Sequence, residues 1–180
     1  MRISLILISS ALLLAAGAFA STGAAEIKVS WQNPEKFTDI RPGSGTKKAY
    51  QQRVITAFDK IWADFSGKLP AGYKLEVVVT DLDLAGDVEP LYNGVGAKRS
   101  INDIRVVKDI FFPKMAFDYV LYDQNNTEIG RAANVKIKDM GFMNSGSVGQ
   151  NHREFAYEQH MLEKWFNKEL MPQITAGKAQ

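Results

Sequence analysis

The sequence predicts an α+β fold, with one twisted, largely antiparallel sheet of about five strands and two amphipathic helices packed on one face. Three observations carry this. The elements run strand, helix, several strands, helix. Each helical segment has a single apolar stripe, so both can bury that stripe against the same sheet face. The later strands follow one another with only turn signals between them, as in an antiparallel meander.

The elements follow in order. In Glu26 to Trp31, Ile27, Val29 and Trp31 alternate with polar residues, giving a strand with one buried face. Asn33-Pro34 breaks it, and Arg41-Pro42-Gly43-Ser44-Gly45 is a loop. A helix is expected from Thr46 to Ser66, where Tyr50, Val54, Phe58, Ile61, Trp62 and Phe65 recur at steps of three and four. Gly67 suits a left-handed residue after the last turn, and Pro70 prevents resumption. Lys47 and Lys48 oppose the helix dipole. Tyr73 to Leu84 is a strand with Leu75, Val77 and Val79 on one face and Val78, Leu82 and Leu84 on the other, so a central strand covered at least partly on both sides is expected. Gly86 to Asn102 is a long polar loop. Ile104 to Phe112 and Lys114 to Asp123 are expected as two strands joined at Pro113, the second with Met115, Phe117, Tyr119 and Leu121 facing one way. Asn125-Asn126 is a turn signal. A strand from Thr127 to Lys138 follows, with Ala133, Val135 and Ile137 on one side. Met140 to Gln150 is a Gly/Ser/Asn loop. A final helix from Arg153 to Leu170 carries Phe155, Leu162, Trp165, Phe166 and Leu170, ends at Pro172, and leaves a frayed tail over 173–180. Residues 26–172 read as one domain, without internal repeats.

Of the 180 residues, the first 25 read as an export signal: Arg2 is the charged start, Ile3 to Phe19 the apolar run, and cleavage falls after Ala20 or Ala25. The apolar run is about 17 residues, at the short end for a bilayer span, and no basic stop signal follows it. The expectation is therefore a periplasmic protein with no membrane span after cleavage. The whole chain holds 22 basic and 20 acidic residues and no cysteine. Near-neutral charge gives no basic stripe for nucleic acid. Without cysteine there is no disulfide scaffold, thiol nucleophile, thiolate-bound metal or lipid-modified cleavage point.

Several stretches carry a family resemblance: Trp31 to Asp39, Val79 to Asp87, Asn102 to Ile110, Lys138 to Met143, and Tyr157-Glu158 with Met161-Leu162 and Trp165-Phe166. With these the chain resembles the domain-of-unknown-function family numbered 3016, exported proteins of Gram-negative bacteria. The resemblance implies a bacterial envelope address. It brings no activity, ligand or catalytic residue.

Three groups of residues are candidates for a site. Asp81, Asp83, Asp87 and Glu89 form an acidic group at a strand end, the oxygen-rich kind that hard cations take. Read as a calcium loop from Asp81, Gly86 falls at the required turn position, but Ala85 and Tyr92 occupy ligand positions, so an EF-hand is excluded and a looser cation site is the alternative. Solvated carboxylates paired with Arg99, Arg105 or turn amides are the favoured reading. His152 and His160, the two histidines, are eight residues apart rather than four, which is poor zinc spacing on a helix. They leave a hydrolase with His160 and a carboxylate as a further alternative, with no nucleophile elbow or phosphate-binding glycine loop to support it. Trp31, Phe37, Arg41, Arg105, Phe111 and Phe112 form an aromatic and basic group for which core packing is the ordinary explanation and a binding groove the functional one. Met140, Phe142 and Met143 pose the same choice. The favoured function is a non-enzymatic binding or interaction module of the envelope, with Asp81, Asp83, Asp87, Arg105 and Trp31 as candidate binding residues. Its partner would be an envelope protein or a small ligand, met by the two long loops or an open sheet face. No cofactor is expected, and a monomer is the default.

Overall fold

The main sheet is built on β2 (Lys74–Asp83), which has a partner on each side. On one side lies β1 (Glu26–Trp31), parallel, with Glu26 opposite Lys74 and Trp31 opposite Val79. A parallel pair needs a long crossover, and helix α1 (Lys47–Ser66) supplies it. On the other side lies β5 (Lys114–Tyr122), antiparallel, followed by β6 (Glu128–Lys138) at the edge. A two-stranded ribbon, β3 (Asp87–Pro90) with β4 (Asp103–Val106), stands apart from this sheet. The computed structural model describes residues 23–90, 103–144 and 154–177. The export segment through residue 22, most of the loop before Asp103, the loop from residue 145, His152, Arg99 and the last three residues lie outside them.

One sheet face carries the core, and both helices pack on it. Leu75, Val77, Val79, Phe117, Tyr119 and Leu121 are buried together with Val54, Phe58, Trp62 and Phe65 of α1 and Met161, Leu162 and Trp165 of α2 (Ala156–Trp165). The two helices meet over β5: Phe117 packs edge-on against Trp62 at 6.0 Å and Trp165 at 4.8 Å between ring centroids. The aromatic stripes are therefore fixed in direction as well as buried. At β1, Trp31 closes the core edge against Phe37 and Phe58.

Several expectations about individual elements are corrected. The ladder of β2 shifts register between Val79 and Asp81, so Leu82 returns to the core face opposite Met115. Thr80 is the extra residue, and the second face of β2 is not a second core. A similar irregularity in β6, with Asn134 at φ 54°, puts Ala132 rather than Ala133 beside Val135 in contact with the core. The expected strand to Phe112 stops at Val106, because the chain turns at Lys108–Phe111 (Phe111 N–H to Lys108 O, 3.0 Å). It pairs with Asp87–Pro90, which the sequence places in a loop. Gly67 is right-handed at φ −65°; the positive φ falls on Gly72, after the chain has tightened through Lys68 and Leu69. Pro172 does not end the last helix. A π-turn at Phe166–Leu170 widens the coil just ahead of Pro172, and α3 (Met171–Gly177) continues the helical path through it. Burial of Ile174 holds that turn down, so 173–177 are not frayed.

Other features follow the pattern. Thr46 caps α1, its hydroxyl accepting the Ala49 N–H at 3.3 Å. Lys47, unfavourable beside a helix start, donates instead to the Glu35 carbonyl at 3.1 Å. Asn126 takes φ 58° in the β5–β6 turn, whose amides at Asn125 and Thr127 donate to the Asp123 carboxylate at 2.8 Å.

Candidate functional site

The end of β2, the ribbon and the starts of both long helices converge, and Arg105 of β4 joins them. Its Nη1 donates to Asp39 Oδ2 at 2.9 Å and to the Gly86 carbonyl at 2.9 Å; its Nη2 donates to the Arg41 carbonyl at 3.2 Å. Asp39 reaches this point because its segment runs alongside the end of β2: its N–H donates to the Leu82 carbonyl and its carbonyl accepts from Leu84, both at 3.2 Å. The other Asp39 oxygen accepts from Arg41 Nε at 3.1 Å, and Arg41 also bridges to Asp87. Burial works against the Asp39 charge, yet the Arg105 guanidinium and the Arg41 groups outweigh it and hold the carboxyl below the usual aspartate range. Burial likewise opposes the Arg105 charge, and Asp39 more than restores it. This close approach of the ribbon depends on two glycines. A Cβ at Gly86, which has φ 84°, would lie 2.6 Å from the Val106 carbonyl oxygen, and one at Gly43 would run into the carbonyl of Asp103.

The second polar feature is Glu158, third residue of α2 and only 2 % exposed. Its Oε1 accepts the Ala85 N–H at 2.7 Å, which ties the start of α2 to the end of β2. Burial pushes this carboxyl up from the usual glutamate range; the Ala85 amide and nearby Arg105 pull the other way without prevailing. The residue that caps the start of α2, Phe155, sits at φ 63° and offers no side-chain hydrogen bond.

Between these groups lies a cavity of about 540 Å³. Its walls are the Gly43–Thr46 loop, Ala49 and Tyr50 of α1, Leu84 and Ala85, Arg105 and Val107, and the Phe155–Glu158 start of α2. At its mouth Arg53 bridges to Glu154 at 3.0 Å and lies over the Tyr50 ring at 4.9 Å. The lining mixes small apolar and aromatic residues with the hydroxyls of Ser44 and Thr46 and the charged groups of Arg53, Asp103, Arg105, Glu154 and Glu158.

The candidate residues separate accordingly. Arg105 is in the wall, and Asp87 is joined to it through Arg41 and Asp39. Asp81 accepts from the Thr38 N–H and hydroxyl, both at 2.7 Å; Asp83 pairs with Lys114 at 2.6 Å; Glu89 pairs with Lys108. The four carboxylates thus have four separate partners, and among the described residues no three acidic or histidine side chains are gathered as a metal ion requires. Asp81 finds turn amides, but Arg105 takes Asp39 instead of any of the four. Trp31 is away from the cavity, its Nε1–H donating to Asp59 at 2.9 Å. His160 follows Glu158 by two residues and leaves α2 on another side. Phe142 is buried edge-on against Tyr157, while Met140 and Met143 are exposed. Asp39 and Glu158 are absent from the candidates read off the sequence. Their one visible signal is that each lies in a stretch that carries the family resemblance.

Those stretches meet in space: Thr38-Asp39, Ala85-Gly86-Asp87, Arg105 and Tyr157-Glu158 form the wall or brace it. Neither a curated protein nor a solved structure matches the chain. A family model does match, over residues 25–168, which takes in every described strand and α2, and the chain accordingly belongs to the family described as Protein of unknown function (DUF3016).

Proposed function

We propose that this is an exported, periplasmic, non-enzymatic binding module whose small-molecule ligand occupies the cavity beside Arg105 and Glu158. The observation that carries the reading is the buried Glu158 carboxyl in the cavity wall. A carboxyl placed out of water is costly to charge, and such groups concentrate where a protein handles a ligand. The volume supports it, since small-molecule sites run from about 300 to 1,000 Å³. Export rests on Arg2, the apolar run and the small residues before Ser21. The ligand fitting these walls is partly apolar, with hydrogen-bonding groups at one end for Arg105, Tyr50 and Glu158.

The test uses protein recovered from the periplasm of cells expressing the full chain. Native mass spectrometry should show a mature chain beginning after Ala20 or Ala25 and a co-purifying small molecule. Ala49→Trp fills the cavity from an exposed position of α1 and should cut occupancy about tenfold while moving the melting temperature by no more than about 2 °C. Undiminished occupancy in this variant would place the ligand elsewhere.

A further inference from the structure

Two peptide bonds satisfy the small-residue rule for removal of an export signal: Ala20–Ser21, preceded by Ala18 and Ala20, and Ala25–Glu26, preceded by Gly23 and Ala25. Ser21 to Ala25 stay with the protein in the first case and leave with the signal in the second. Residues 23–25 are built into the domain. The Gly23 carbonyl accepts the Gly72 N–H at 2.8 Å, and the Glu26 N–H donates to the Tyr73 carbonyl at 2.9 Å. Pairing with the chain that leads into β2 therefore starts at Gly23, ahead of the first residue of β1. Ala25 is half-buried against the core and heads the series Ile27, Val29 and Trp31, spaced at the two-residue period of a strand face. Cleavage after Ala25 would strip the partner from the Gly72 N–H, take Ala25 off the core edge and turn the Glu26 amide into a charged ammonium at the head of β1. Cleavage after Ala20 removes none of these. Folding also withdraws the second bond, since Glu26 is hydrogen-bonded into the sheet, whereas Ser21 lies five residues ahead of it.

We propose that the processing site is the Ala20–Ser21 bond, hydrolysed by a membrane-bound signal peptidase, so that the mature protein begins at Ser21. A water oxygen bonds to the Ala20 carbonyl carbon, the C–N bond breaks, and the proton passes to the Ser21 amine. The proposal rests on the export reading above and is independent of the cavity and its ligand. The test is N-terminal sequencing and intact mass of the chain recovered from the periplasm of cells expressing the full sequence. A chain beginning at Ser21 is expected. One beginning at Glu26 overturns the proposal and leaves export standing, whereas a chain that keeps its first 20 residues overturns both. Two variants separate the bonds. Gly23→Glu removes a small residue that the second bond needs and leaves the Gly23 carbonyl in place, so it should be processed at Ser21 as the native chain is. Ala20→Arg removes the small residue next to the first bond and should lose the Ser21 product. Processing that fails in Gly23→Glu and persists in Ala20→Arg overturns the assignment.

Discussion

Glu158 and Asp39 are carboxyls braced against the same Arg105 region, yet burial and pairing drive them in opposite directions. Asp39 ionises more readily in the folded chain than in the unfolded one. Its contribution to stability is therefore present above the unfolded value of about 3.9 and is lost as pH falls through the lower folded value. Glu158 is raised by folding, so its contribution is fully present below the unfolded value of about 4.3 and is lost as pH rises through the higher folded value. Glu158→Gln keeps an oxygen for the Ala85 N–H and removes the titration. Melting temperature should fall as pH rises above about 4.3 in the native protein, and Glu158→Gln should lessen that fall. An unchanged slope in Glu158→Gln would mean that this carboxyl is not what titrates there. Arg105 was legible in the sequence as a basic residue in a recognisable stretch, but its partner Asp39 lies 66 residues earlier. Periodicity reports which face a residue occupies and says nothing of which distant residue meets it.

At the level of elements, what could be read was whatever depends on neighbours in the chain. The stripe Val54, Phe58, Ile61, Trp62 and Phe65 located α1, and the Asn pair located the β5–β6 turn, because spacing and left-handed tolerance are local properties. The irregularities in β2 and β6 were not legible, since one added residue changes the phase of a strand without changing its composition. The ribbon was missed for a different reason: β3 and β4 are short, half-buried and held by cross-chain bonds rather than by a stripe of their own. Gly86 makes that arrangement testable. Gly86→Ala meets both an unfavourable φ and the Val106 carbonyl, and should cost about 1–3 kcal/mol, seen as a lower urea midpoint with the slope unchanged. A variant as stable as the native chain would show that the ribbon does not need this approach.

Across the whole molecule, stability is divided between a four-stranded sheet with its helices and a ribbon attached through Arg105. Native-state hydrogen exchange should reflect this division. Amides of β3 and β4 should exchange well before those of β2 and β5, and Asp39→Asn should quicken the ribbon further while leaving the order of the core strands intact. Equal protection throughout would mean that ribbon and sheet open as one. The wall of the cavity takes its residues from the stretch before α1, the end of β2, the ribbon and the start of α2, and no contiguous piece of the chain contains it. If the proposed ligand occupies the cavity, it acts as an inspector of completeness. A chain still being made, or one clipped ahead of Glu158, has no complete cavity wall, so on that proposal only the finished molecule would gain the stability that occupancy confers.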